Sequence, residues 1–508
     1  MLPFGAGPVT NGEFVPADPT AHDRDVAAAT LAEVEWAADR AGIDRRAFLR
    51  GAGGVAAALT VFNLAACSGG SRRSGGGSTT SATGSASTTT SAPGGTYTVP
   101  TTADLPACEH ALGGTGEFIF DVHSHHVIPN GPWRNTAPAT VGLVGGMLPQ
   151  CSAPDRFECA DRAAYLHDMF LMSDTTVAML TDVPNSGPDN APLPFSDALG
   201  TQEFAATLTR DGASRILVHN VIAPNFGDLH ARLDGMEATA ATRHVAAFKV
   251  YTAWGPNRQG FALDDPAIGL PVVQKAHDVG VKVFVAHKGL PLVDFDRAHN
   301  GPEDIVAVSR LFPDMNFVVF HSNWDPNHTE GAYNPAVPVG IDRLLAALDA
   351  HHVPPNSNVW VDIASVWRSL LGRPSEAAHL LGKLLSRVGE GRVMWGTDAV
   401  FYGSPQAQIM AMRAFQITPE FQSRFGYPAL TDALKRKIFG LNAARLFGVD
   451  PEATRCALAR DPLTDARPAV ADLHATGVLP SRWRPNGPTT RRQMLQWLAS
   501  PATRWTPS

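Results

Sequence analysis

Six side chains of types that carry metal or proton chemistry sit where short apolar runs end. The first run closes with Asp121-Val122-His123-Ser124-His125-His126. In an extended segment residues i and i+2 face the same way, so His123 and His125 present two imidazoles on one side. Paired imidazoles are the start of a transition-metal site. Alone the pair is a weak signal, because 18 histidines in 508 residues give about 0.6 His-x-His pairs by chance. Further runs strengthen it, ending in Ala286-His287-Lys288-Gly289, Phe320-His321-Ser322-Asn323 and Trp395-Gly396-Thr397-Asp398. Another closes with Phe248-Lys249-Val250-Tyr251. Imidazoles and a carboxylate gathered from several run ends suit a divalent metal that activates water.

The elements that must bring them together are short strands. Apolar, β-branched runs occur at Phe118–Val122, Val177–Thr181, Ile216–Val218, Ala247–Val250, Val281–Ala286, Phe317–Phe320, Val359–Ile363 and Arg392–Trp395. Their spacing of roughly 30 to 60 residues fits a strand, a helix and two loops. Helical patterns lie between them at Pro271–Val279, Pro302–Leu311, Ile341–Ala350 and Ser375–Val388. Alternation in that number predicts an α/β fold of the (β/α)8 barrel type, with chemistry at the C-terminal strand ends. The alternative, an open doubly wound sheet, lacks a Gly-rich phosphate loop after the first strand. The longest gap contains Cys151 and Cys159 and predicts an insertion near residues 126–170, over the barrel mouth.

The order of these groups resembles the amidohydrolase superfamily: His-x-His after strand one, His after five, His after six, Asp after eight. More narrowly it resembles amidohydrolase family 2, the group that includes aminocarboxymuconate-semialdehyde decarboxylase. Trp395-Gly396-Thr397-Asp398 is similar to that group's signature, and Ile438-Phe439-Gly440-Leu441-Asn442-Ala443-Ala444-Arg445-Leu446-Phe447-Gly448 to its closing helix. The similarity covers residues 117 to 449. It implies one divalent metal per chain, Zn²⁺, on His123, His125, His287 and Asp398. It implies His321 beside the metal's water as general base or electrostatic partner, with Asp398 as a second proton acceptor. Binuclear superfamily members carry a carboxylated lysine where Lys249 stands. The family-2 resemblance favours Lys249 as a contact for a substrate anion or as a strut. His126, His219 and Asp182 are read as hydrogen-bonding support, and Trp133, Arg134, Trp254 and Trp324 as residues of the mouth loops.

Upstream, Asp44-Arg45-Arg46-Ala47-Phe48-Leu49-Arg50 precedes an apolar stretch, Gly51 to Phe62, and Leu64-Ala65-Ala66-Cys67. Twin arginines, a short apolar segment and a small-residue box resemble a twin-arginine export signal of the lipoprotein type. Residues 1–66 are then extension and signal, with Cys67 lipidated. The competing reading is an Ala/Gly-rich buried helix flanked by surface arginines. From Ser68 to Pro100, 24 of 33 residues are Ser, Thr or Gly, so residues 67–100 read as a flexible tether. Its reach as a random coil is roughly 30 Å. The folded part follows at 101–449, and residues 450–508 form an extension without an assigned role. The expected location is extracytoplasmic and bacterial, lipid-anchored at the outer face of the cytoplasmic membrane or secreted.

Composition narrows the partners. A net charge of −7 argues against nucleic acid or an anionic membrane surface. Five cysteines are too few for a disulfide scaffold. Cys108, Cys151, Cys159 and Cys456 allow three pairings or free thiols, with the closeness of Cys151 and Cys159 favouring a small loop. The expected partners are a small-molecule substrate, a membrane through the lipid alone, and a second copy in a homodimer. Three functions compete: a metal-dependent hydrolase of an amide, ester or lactone; a non-oxidative decarboxylase of an aromatic or muconate-like acid; and a non-enzymatic, lipid-anchored binding protein on the same barrel. The hydrolase stands first.

Overall fold

The computed structural model describes residues 15–68 and 93–475, apart from 115, 149–150, 152, 210–213, 292–294 and 459–460. Most of the expected tether and the chain after 475 lie outside the described residues, as does the side chain of Cys67. Eight parallel strands follow one another in sheet order: β1 (Phe120–Ser124), β2 (Val177–Leu180), β3 (Ile216–Ile222), β4 (Val245–Val250), β5 (Val283–His287), β6 (Asn316–Phe320), β7 (Val359–Asp362) and β8 (Val393–Met394). They coincide with the eight apolar runs of the sequence. Strand β5, Val-Phe-Val-Ala-His, is buried at every position, as expected where helices cover one face and barrel interior the other.

The first and last strands close the ring. Val122 N–H donates to Trp395 O at 3.0 Å, Asp398 N–H to His123 O at 2.9 Å, and Ser124 bridges Ala399 in parallel. The closing segment 432–447 secures β8 from below. Asn442 Nδ2 donates to Val393 O at 2.8 Å, and Trp395 N–H to Ile438 O at 2.9 Å. The fold is therefore a (β/α)8 barrel, and the strand that carries His123 and the segment after β8 that carries Asp398 are pinned at the closure.

Between β1 and β2 the chain leaves the barrel in short helices, Trp133–Thr136, Pro138–Met147, Arg156–Ala160 and Arg162–Leu166. A Cys151–Cys159 disulfide clips this excursion, while Cys108 and Cys456 are free thiols. Trp133, Val141, Val144 and Phe157 from the excursion pack with Tyr251, Trp254, Phe295 and Phe401 from other mouth loops. At the other extreme of the chain, Pro462–Ala475 docks on the barrel flank through the buried Arg215–Asp461 pair and Arg467 to Asp174 at 2.6 Å.

The N-terminal segment is part of the same core. Helices α1 (Ala21–Ala41), α2 (Arg45–Arg50) and α3 (Ala52–Ser68) pack on one another. Arg45 and Arg46 are exposed, whereas Phe48, Ala56, Leu59 and Phe62 are at most 1% exposed. Gly54 permits the tight α2–α3 approach, since a Cβ there would lie 2.7 Å from Leu49 backbone. Asn63 on α3 bonds both backbone groups of Tyr97, donating to O at 2.7 Å and accepting from N at 2.8 Å. Residues 95–97 in turn pair antiparallel with 415–417. An Ala/Gly/Val/Leu run has the composition of a signal's apolar segment and equally of a buried helix, so composition alone does not separate the two. No described helix is long and apolar enough to cross a membrane.

Candidate metal centre

The strand ends deliver their side chains to one buried point. His123 leaves β1 with its ring stacked on Phe320, centroids 3.8 Å apart. Its Nδ1 lies 2.9 Å from Asp362 Oδ2, and its Nε2 lies 3.2 Å from Asp398 Oδ1. His125 donates from Nδ1 to Thr181 O at 2.8 Å, which leaves the lone pair on Nε2, 3.1 Å from the same Asp398 oxygen. His321 likewise donates from Nδ1 to Ala364 O at 2.9 Å, and its buried Nε2 has no hydrogen-bond partner among the described residues. His287 donates from Nε2 to Leu290 O at 3.1 Å. Its ring meets His321 at 4.5 Å, with Tyr251 and Phe295 on its other sides.

Asp398 is held by its far oxygen. Ser365 Oγ donates to Oδ2 at 2.5 Å, and Tyr402 OH donates to Ser365 Oγ at 3.1 Å. Oδ1 is buried without a hydrogen-bond donor among the described residues, between the two Nε2 atoms. This is the arrangement that fits a metal. Ligand bonds of about 2.05 Å span a tetrahedral edge of about 3.3 Å, close to the observed 3.1 and 3.2 Å separations. His123, His125 and Asp398 form one group able to hold an ion, while His287 stands beside the group through its contact with His321.

Burial sets the charge states. It pushes the His123, His125 and His287 imidazoles below their ordinary range, and His321 down to about 4. Neutral imidazoles are the ligand form. Burial alone would raise Asp398, but the His125 and His321 rings beside it and the Ser365 hydroxyl hold it well below the usual carboxylate range. Lys249 is fully buried with Nζ 3.5 Å from His123 Nε2 and 4.6 Å from the Tyr251 and Phe320 ring centres. Its ammonium therefore stands on the ligand side of His123.

The supporting residues divide. Asp182 accepts from Val183 N, Leu193 N and Asn185 Nδ2, and fixes a mouth loop; burial raises its carboxyl to about 8. His126 bonds Thr201 at 2.9 Å, away from the convergence point. His219 lies on β3 between Phe320 and Phe447. Trp133 and Trp254 are buried cover residues whose indoles donate to Ile128 O and Asn185 O; Trp324 is buried too, and Arg134 pairs with Asp155. Sequence reasoning passed over Asp362 and Ser365. Asp362 ends β7, so the strand-end rule that picked out the histidines applied to it as well. Ser365 follows in a left-handed turn, φ 57°, and nothing in the sequence marks it. Every group at the centre is at most 2% exposed.

A family model described as Amidohydrolase matches residues 123–449. No curated protein matches the chain. Among solved structures, 5-carboxyvanillate decarboxylase from Sphingomonas paucimobilis is 14% identical, with a TM-score of 0.42, covering 66% of this chain and all of its own. The Novosphingobium aromaticivorans 5-carboxyvanillate decarboxylase, complexed with manganese, is 16% identical, covering 66% of this chain and 97% of its own, TM-score 0.42. An amidohydrolase from Mycobacterium avium subsp. paratuberculosis is 14% identical, covering 66% and 100%, TM-score 0.38.

Proposed function

The chain belongs to the amidohydrolase family, and from that premise we propose that this enzyme is a metal-dependent hydrolase of a small-molecule amide, ester or lactone. The observation that carries the reading is Asp398 Oδ1, buried without a donor and 3.1 to 3.2 Å from two imidazole nitrogens. His123, His125 and Asp398 would hold a divalent ion, with His287 completing the set. Three nitrogens and one oxygen suit Zn²⁺. Such an ion supplies Lewis acidity, polarising a carbonyl and lowering the pKa of water. His321 Nε2, neutral and without a hydrogen-bond partner, is positioned to accept a proton. Ser365 fixes Asp398 Oδ2, so that carboxylate keeps one orientation while Oδ1 serves the ion or takes a proton. Lys249, buried beside His123, binds an anionic group of the substrate.

The Lys249 ammonium between two aromatic rings also favours a second reading, decarboxylation of an aromatic or muconate-like acid. Carbon dioxide release from a panel of such acids, set against hydrolysis of amides, esters and lactones, separates the two. Metal analysis of the purified protein with His123→Ala as control tests the shared premise. One ion per chain, lost in the variant, is expected; unchanged metal content in the variant overturns the site. We also propose an extracytoplasmic location with lipidation at Cys67. It is supported by the Arg45-Arg46 signal and by a disulfide suited to an oxidising compartment. Intact mass of the membrane-bound protein tests it.

A further inference from the structure

Asp362 touches two parts of the centre at once. Its Oδ2 lies 2.9 Å from His123 Nδ1, while its Oδ1 accepts from the His321 backbone N–H at 2.6 Å. Its own carbonyl accepts from Ser322 Oγ at 2.5 Å. Residues 321, 322 and 323 all have left-handed backbone, φ 60°, 50° and 60°, a conformation that costs a non-glycine residue energy unless its surroundings hold it. On the other side, Gly396 gives the carboxylate room: a Cβ there would lie 3.0 Å from Asp362 Oδ2 and 3.1 Å from His123 Cβ. The glycine of the Trp-Gly-Thr-Asp stretch thus clears the His123–Asp362 contact.

We propose that Asp362 is a positioning residue that fixes the tautomer of His123 and the place of His321 together, and so sets metal affinity without ligating the metal. The inference rests on the metal reading above. With Asp362 ionised, its oxygen at Nδ1 takes the proton there and leaves the lone pair on Nε2, the atom that faces Asp398 Oδ1 and the Lys249 ammonium. Both Asp362 oxygens have a hydrogen-bond partner, the His321 N–H at Oδ1 and the His123 ring at Oδ2, whereas Asp398 Oδ1 has none among the described residues. His123, His321 and Asp362 also cluster closely enough to suggest a second ion, but the 2.9 Å approach of His123 Nδ1 to Asp362 Oδ2 is a hydrogen-bond distance that needs no ion between them.

Asp362→Asn keeps shape and removes this dual acceptance. If its oxygen serves the His321 N–H, its amide N–H₂ faces Nδ1 and drives the proton of His123 onto Nε2. If its oxygen serves His123 instead, two donors meet at His321. Either way metal affinity falls about 10- to 100-fold, the range for loss of a ligand's hydrogen-bond partner. Competition titration with a chelating dye reads this directly, with zinc as the probe ion. Asp342→Asn, which removes a buried carboxylate 2.6 Å from Lys383 on another element, should lower thermal stability and leave metal affinity unchanged. In metal-free wild type, two-bond 15N–1H correlation of labelled histidines should give His123 as the Nδ1–H tautomer, a readout that does not need the variant to fold. Zinc affinity of Asp362→Asn within twofold of wild type, or an Nε2–H tautomer in wild type, overturns the proposal. Two ions per wild-type chain falling to one in Asp362→Asn also overturns it, by making Asp362 a ligand. A wild type that binds no metal defeats the hydrolase reading instead, and the tautomer measurement still decides what Asp362 does to His123.

Discussion

Phe62 is the most informative residue to change outside the centre, because its burial measures how firmly helix α3 packs in the full-length chain. It is 1% exposed and packs in the same core as barrel helices, whereas Leu64, two residues on, is 65% exposed. Truncating a buried phenylalanine to alanine costs about 3–5 kcal/mol, combining lost transfer energy and the cavity left behind. At about 2.1 cal/mol/K per residue, roughly 420 described residues give an unfolding entropy near 0.9 kcal/mol/K, so Tm falls by about 3–6 °C. Leu64→Ala, made at the exposed face, should move Tm by about 0.5 °C or less. Calorimetry on the full-length, unprocessed chain makes the comparison. Cleavage before Cys67 removes α3 and should lower Tm further, since Asn63 no longer satisfies the backbone of Tyr97. Equal melting of wild type, Phe62→Ala and Leu64→Ala would refute the packing and leave residues 45–67 as a free export signal.

Other perturbations address the centre and its surroundings. Ser365→Ala removes the charge-assisted bond to Asp398 Oδ2; at about 1.5–3 kcal/mol, kcat should fall about 10- to 150-fold in steady-state assays while the fold is retained. Lys249→Met should raise KM about tenfold or more for a substrate bearing a carboxylate and leave a neutral analogue nearly unaffected, which parallel kinetics on the two would show. Burial lowers His126 to about 3, so the folded state holds it neutral while the unfolded chain takes up its proton below about pH 6.5. Stability from this group is therefore present above pH 6.5 and lost as pH falls towards 3, by up to about 1.4 kcal/mol per pH unit. Urea midpoints at pH 7 and 5 should separate less in His126→Leu than in wild type; an identical separation would exclude the group.

The sequence by itself determined the strands and most of the centre. Eight apolar β-branched runs sit where the eight strands are, because strands covered on both faces must be apolar along their length. Five of the marked residues, His123, His125, His287, His321 and Asp398, were legible because a barrel gathers whatever ends its strands. Tertiary structure decided what local pattern does not carry. Which nitrogen of each imidazole is free depends on Thr181, Ala364 and Asp362, supplied from distant parts of the chain, and on Leu290 in the turn just past His287. The convergence of two Nε2 atoms on one unshared oxygen follows from barrel closure, where β1 and the segment after β8 exchange backbone bonds. Cys151 and Cys159 were legible as neighbours, but the bond between them needed the fold of the excursion. The same holds at the N-terminus. The Ala/Gly/Val/Leu composition of residues 51–62 satisfies an export signal and a buried helix equally, and only the tertiary structure shows the surface this segment covers in the full-length chain, Tyr97, Leu105 and the barrel helices.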